Sequence, residues 1–221
     1  MKKFKTRCSS LGIVCAVKGF AKTGMSAVEL SVKEQIYGIK RDIDSKYLTK
    51  GNECEDESIA ILSEILGVPA KKNEQEFENE FIKGTPDVVL GDVVSDIKNS
   101  YSEQTFPLFD TEPDYKHVMQ VKGYAWLLGL KKGRVDYFLM DLPEHLIEKE
   151  AWKLVKARGL DEMDIDIYNE AKKMNTYSHL AIELRHKSFE FDVTEKDIEF
   201  IKKNVKQAND YGNKLLENYG N

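Results

Sequence analysis

"GTPDVVLGDVVSDIKNS", residues 84–100, carries two aspartates and a lysine in an otherwise valine-rich, strand-forming stretch. Gly91–Asp92 divides it into two runs, and a two-residue turn with glycine at its first central position is a favoured hairpin connection. With that turn the register follows by counting. Leu90 faces Val93, Val89 faces Val94, Val88 faces Ser95, and Asp87 faces Asp96. The two aspartates then form a cross-strand pair with β-carbons about 5 Å apart. Lys98, two residues beyond Asp96, points to the same face. Like charges directly opposite one another destabilise a sheet. A divalent cation offsets that repulsion, because hard Mg²⁺ or Mn²⁺ prefers carboxylate oxygens. The other reading is a solvated face partly neutralised by Lys98.

Working outward, "GNECEDESIAILSEIL" reads as a helix from about Asn52 to Leu66 with an apolar stripe at Ile59, Leu62 and Leu66. One turn back from Ile59 lies Glu55, which puts this third carboxylate on the inward face while Asp56 and Glu57 point progressively away. An acid on a buried face is expensive unless it is paired or bound to a metal, although acids also favour the first turn of a helix. In "YKHVMQVKGYAWLLGL", a helix ending near Gly129, Gln120 and Tyr124 are four apart and share a face. His117 lies near that face and receives no role.

The remaining elements complete the pattern. Residues 30–51 read as a helix with a Ser31–Glu34 capping box, a shared face of Ile36, Ile39, Ile43 and Tyr47, and a stop at Gly51. "EQEFENEFIKG" alternates like a strand, and "GRVDYFLMDL" is a strand closed by Pro143. Helices follow over about 144–157 and 162–174, then a short strand "SFEFDV". Thr194 caps a long last helix with Ile198, Ile201, Val205, Ala208 and Leu215 on one face. This order predicts an α/β fold with a mixed central β-sheet flanked by helices and extra helices at both ends.

Composition agrees. The chain has 221 residues, 41% hydrophobic and 32% charged, enough for one substantial core and a single domain. Its net charge of −5 is unevenly spread. Residues 1–50 hold eleven Lys or Arg against four Asp or Glu, and the rest hold 22 against 34. A basic amino-terminal part on an acidic body points to an anionic partner for that part, or to a lysine-rich solvated surface. Cys8, Cys15 and Cys54 form no C-x-x-C pair and suggest a reducing, cytoplasmic setting. The run "LGIVCAV" mimics a signal peptide, but it is short, is followed by Lys18 and Lys22, and lacks an A-x-A site. No run approaches the ~20 apolar residues of a transmembrane helix, so no membrane partner is expected. The acidic "GLDEMDIDIYNE", residues 159–170, reads as a solvated helix face, or else as a partner site.

These residues together resemble a known family. "GTPD…DIK" looks like the PD-(D/E)XK nuclease signature, with Asp96 where glutamate is commoner. "KGNECE", residues 50–55, resembles the "RGxxxE" helix start of the lambda-exonuclease and YqaJ-like branch, with Lys50 in place of arginine. Gln120 and Tyr124 resemble the Q-x-x-x-Y helix of RecB-type nucleases. "RCSSLG", residues 7–12, resembles the amino-terminal R-x-S-x-x-G stretch of phage recombination exonucleases. The matches span about residues 7–128, and nothing beyond residue 140 is familiar. Iron–sulfur relatives share this core, but the cysteines needed for a cluster are missing.

The resemblance implies a restriction-endonuclease-like fold and an Mg²⁺- or Mn²⁺-dependent deoxyribonuclease. It favours an exonuclease acting on linear double-stranded DNA in phage-type recombination. The alternatives are an endonuclease of restriction or repair type, or a catalytically idle nucleic-acid-binding protein. It assigns the metal to Asp87, Asp96, the Ile97 carbonyl and Glu55. Lys98 would orient or deprotonate water, Gln120 would position the nucleophile or DNA backbone, and Tyr124 would support it. Arg7, Ser9 and Ser10 would contact the DNA backbone. The chain divides accordingly into a basic helical part (1–50), a catalytic core (51–141) and a mainly helical remainder (142–221). By analogy alone, a homo-oligomer and a single-strand annealing or recombination protein as partner are admitted, and no interface follows from the residues.

Overall fold

The hairpin forms in the expected register. A computed structural model of the chain describes residues 3–16, 18–39 and 45–220. Strand β4 (Val88–Leu90) pairs antiparallel with β5 (Val93–Asn99), matching Val88 with Ser95, Val89 with Val94 and Leu90 with Val93. Gly91 takes φ = 60°, a left-handed conformation that glycine adopts without steric cost.

Helix α4 (Tyr115–Leu128) then carries the chain across to β6 (Lys132–Phe138), which runs parallel to β5. Strand β7 (His186–Asp192) pairs antiparallel with β6, giving a mixed sheet of order β4–β5–β6–β7. A second mixed sheet is built from β1 (Thr6–Arg7), β2 (Phe77–Glu78) and β3 (Ile82–Gly84), with β3 central.

Strand alternation sorts the side chains between two layers. Val94, Val135 and Tyr137 join Val121 and Ala125 of α4 in one core. The same core takes in α1 (Leu11–Val14), α2 (Lys22–Tyr37) and α7 (Glu195–Tyr219). Val88, Ile97 and Phe138 instead meet Cys54, Ile59 and Leu62 of α3 (Lys46–Leu66). Helices α5 (Glu144–Ala157) and α6 (Ile165–Met174) pack on each other around Leu146, Ile147, Ala151 and Ile167. Thr194 caps α7 through a reciprocal capping box with Asp197. Asp161, Glu162, Asp164 and Asp166 are exposed, as read from the sequence. No helix among the described residues is long and apolar enough to cross a membrane.

Several expectations fail locally. The helix placed over residues 30–51 is two helices. α2 begins at Lys22, so Ser31 and Glu34 lie in its interior and form no capping box; it ends at Gly38, which has φ = 63°. Gly51 does not stop a helix, because α3 starts at Lys46 and runs through it, its buried apolar face outweighing the roughly 1 kcal/mol that an interior glycine costs. Ile39 and Tyr47 are exposed rather than on a shared core face, and Ile43 lies outside the described residues. "EQEFENEFIKG" is not one strand. The Asn79 side chain accepts the Phe81 and Ile82 amides at 2.8 and 2.9 Å and folds the segment into the β2–β3 hairpin, a local asparagine turn that simple alternation conceals. Of the "LGIVCAV" run, Leu11, Val14 and Cys15 are buried in the protein.

Candidate active site

The ladder of β4 and β5 ends at Val88–Ser95. The next residue, Asp87, uses its side chain where a backbone partner would continue the strand: Oδ2 accepts the Ile97 amide at 2.7 Å. This brings the Asp87 carboxylate alongside Asp96. Burial, and then the negative charge of Asp96, push the Asp87 carboxyl up to about 7. Pro86 fixes the approach, its carbonyl accepting from the Asn73 side-chain amide at 2.9 Å.

Asp96 is fully buried. Its Oδ1 accepts Gln120 Nε2 at 2.9 Å, and the same amide nitrogen donates to the Tyr124 hydroxyl at 2.8 Å. The i, i+4 spacing of Gln120 and Tyr124 therefore works as the sequence implies, with α4 laid over the sheet. Lys98 Nζ sits 2.5 Å from Asp96 Oδ2. That contact is an ion pair without hydrogen-bond alignment, since the buried Oδ2 accepts no directed hydrogen bond. For Lys98, burial acts to lower the pKa, but Asp96 and Asp87 outweigh it and raise it. The ammonium stays protonated.

Glu55 is half-buried on α3 while Asp56 and Glu57 are exposed, as the stripe predicts. Its charge reaches both Asp87 and Lys98, yet its carboxylate pairs with Lys72 Nζ at 3.1 Å, which also contacts Asp56 at 3.0 Å. Among the described residues, no group of three or more His, Cys, Asp or Glu side chains is gathered to hold an ion. The donors present nevertheless suit a hard divalent cation: two adjacent carboxylates, one with a buried oxygen lacking a directed partner, and a third within electrostatic reach. Ile97 packs its side chain beneath α3 and gives its amide to Asp87.

The amino-terminal residues form a separate feature. Arg7 and Ser10, with Lys3, Lys5 and Lys83, line an open groove of about 380 Å³ that contains none of Glu55, Asp87, Asp96 or Lys98. Ser9 is exposed and is not part of that lining. The intervening Cys8 packs toward the site: a β-carbon on Gly84 would lie 2.8 Å from the Tyr124 ring and 2.9 Å from Cys8 Sγ.

Lys50 is not a phosphate ligand. It is fully buried and donates to the carbonyls of Tyr101 at 3.0 Å and Met140 at 2.6 Å, tying α3 to the segments that follow β5 and β6. Burial brings its amine down to about 8. The pairing of Lys72 with Glu55 and the place of Tyr137 opposite Lys98 were not visible in the sequence. Lys72 stands in an irregular polar stretch with no period, and Tyr137 reads as one more core aromatic.

No protein-family model and no curated protein matches the chain. Solved structures do. A phage-related exonuclease from Haemophilus somnus 129PT is similar at 25% identity and a TM-score of 0.77, covering 98% of this chain and 97% of that one. The fold is restriction-endonuclease-like. An alkaline exonuclease from Laribacter hongkongensis, LHK-Exo, shares that fold at 11% identity and a TM-score of 0.69, over 97% of this chain and 90% of its own. Its complex with dAMP aligns at 12% identity and a TM-score of 0.65 with the same coverage.

Proposed function

We propose that this chain is a divalent-metal-dependent DNA exonuclease of the PD-(D/E)XK type, acting on linear double-stranded DNA in phage-type recombination. The observation that carries this reading is the braced set of Asp87, Asp96, Lys98 and Gln120, set in a fold similar to that of a phage-related exonuclease along 98% of the chain. On this reading the whole chain is one nuclease domain.

Asp87, Asp96 and the Ile97 carbonyl would hold Mg²⁺ or Mn²⁺, with Glu55 exchanging Lys72 for the ion or for a water beside it. Bound there, the cation supplies a polarised phosphate oxygen and a more acidic water. The chain's own groups do the positioning. The protonated Lys98 offsets negative charge developing at phosphorus and orients the attacking water. Gln120 is fixed between Asp96 and Tyr124, so its free amide oxygen keeps one direction toward the water or the DNA backbone. Arg7, Ser9 and Ser10, with the lysines of the groove, contact the phosphate backbone.

The decisive experiment is digestion of end-labelled linear DNA beside covalently closed circles, with Mg²⁺, with Mn²⁺ and with EDTA. Loss of label from linear DNA only, restored by either cation after EDTA, is expected. Lys98→Ala and Asp96→Ala are expected to lower the rate by about 10²- to 10³-fold or more while circular dichroism stays native. Cutting of closed circles would instead make the chain an endonuclease. Digestion by Lys98→Ala at the wild-type rate would sink the mechanism.

A further inference from the structure

His117 stands outside the carboxylate set, one turn before Gln120 on the same face of α4. Its ring is anchored through Nδ1, which lies 2.7 Å from the Tyr137 hydroxyl oxygen. That oxygen also accepts the Asp114 backbone amide at 3.1 Å. Tyr137 is buried, and its O–H needs an acceptor. Among the described residues that acceptor is His117 Nδ1. Tyr137 therefore donates, Nδ1 accepts, and the imidazole proton resides on Nε2. Burial, and next the Lys98 ammonium, hold His117 below the usual histidine range, so the ring is neutral at pH 7.

The placement gives that proton a purpose. Tyr137 is the register partner of Lys98 across β5 and β6, and paired residues of adjacent strands direct their side chains to one face. His117 is only half-buried, and no hydrogen bond to its Nε2 is formed among the described residues. The result is a neutral N–H donor of fixed tautomer, open to a ligand, beside the Lys98–Asp96 pair.

We infer that His117 is a further DNA-contacting residue, its Nε2–H donating to a non-bridging phosphate oxygen of the strand that lies along α4, with Tyr137 and the Asp114 amide fixing the tautomer. This rests on the nuclease reading above. A neutral donor releases no counterion, so it adds affinity without adding to the salt dependence that lysine and arginine contacts create.

The test is fluorescence anisotropy of a short blunt labelled duplex with the full chain in EDTA, over a salt series. Asparagine keeps a polar atom where Nδ1 stood and so preserves the contact with Tyr137; glutamine keeps an N–H near the position of Nε2. His117→Asn is expected to weaken binding about tenfold, the effect of one lost hydrogen bond to a charged group. The slope of log affinity against log salt and the melting temperature should not move. His117→Gln should stay within about threefold of wild type. Imidazole ¹⁵N shifts should report protonated Nε2 and bare Nδ1. Wild-type affinity in His117→Asn, equal losses in both variants, or protonated Nδ1 overturns the inference. So does a salt slope lowered by about one, which marks a cationic contact. Wild-type digestion with Mg²⁺ separates the two levels: variants that bind normally in a digesting protein remove His117 alone, whereas a wild type that digests nothing removes the nuclease reading with it.

Discussion

Lys50 illustrates how far one residue can be read. It stands in "KGNECE" where the resembled motif has arginine, yet its ammonium is enclosed and bonded to two backbone carbonyls. Sequence patterning could not reveal this, because the partners, Tyr101 and Met140, lie 51 and 90 residues away. The burial has a measurable sign. Folding lowers the amine from an ordinary 10.5 to about 8, so between those values the unfolded chain holds more protons than the folded one. The residue's contribution to stability therefore rises with pH across that window and is least favourable below pH 8. Relative to Lys50→Met, wild type should gain about 2 kcal/mol between pH 7.5 and 9.5 in urea denaturation; parallel curves would show that the amine is solvated. Comparison with the variant matters because the Cys54 thiol, pushed up to about 11 by burial, contributes with the opposite sign. The β4–β5 register, by contrast, was legible at this scale, although the ladder stops one pair short of Asp87–Asp96 and Asp87 reaches its neighbour through its side chain. A hairpin register needs only a turn and a count, both local properties of the chain.

At the level of elements, what was legible was whatever packs with a regular period. Helix α4, the β4–β5 hairpin and the capped α7 match their expected bounds closely. The failures lie where a single side chain or a tertiary contact overrides the period, as Asn79 does in the β2–β3 turn. Strand β1 was missed because two residues paired to a distant strand leave no pattern. Gly12 shows an element contact that the R-x-S-x-x-G resemblance carried without explanation. A β-carbon there would lie 2.6 Å from the Lys116 Cα, so the glycine lets α1 press against the backbone of α4. Gly12→Ala should force the two helices apart. The expected destabilisation is about 1–3 kcal/mol by chemical denaturation, despite alanine's better helix propensity. Digestion should slow at the same time, because α4 carries Gln120. Unchanged stability would mean that α1 yields freely.

Across the whole molecule, residues 142–221 were the least legible, since their helices follow an ordinary amphipathic pattern and carry no site residue. Their last helix has a structural use. Three asparagines of α7 hold the amino-terminal segment. Asn209 Oδ1 accepts the Thr6 amide at 3.0 Å and hydroxyl at 2.8 Å, and its amide donates to the Phe81 carbonyl at 2.7 Å. Asn213 accepts the Phe4 amide and Asn204 the Phe20 amide, each at 2.8 Å. Asn209→Leu removes the buried partner of Thr6 on β1 and of the Phe81 carbonyl just before β3. It should cost about 2–4 kcal/mol and weaken DNA binding through Arg7, while Asn218→Leu at an exposed position of the same helix should do neither. If the two variants melt together, α7 is only an outer layer. The pattern also orders events in time. β1 is made well before its partner helix, because the acceptor for its buried donors lies 203 residues further along the chain. A nascent chain can shape its hairpin early, but it cannot secure the segment bearing Arg7 until α7 has been made. A product truncated before Thr194 therefore keeps the hairpin and leaves the segment bearing Arg7 unanchored.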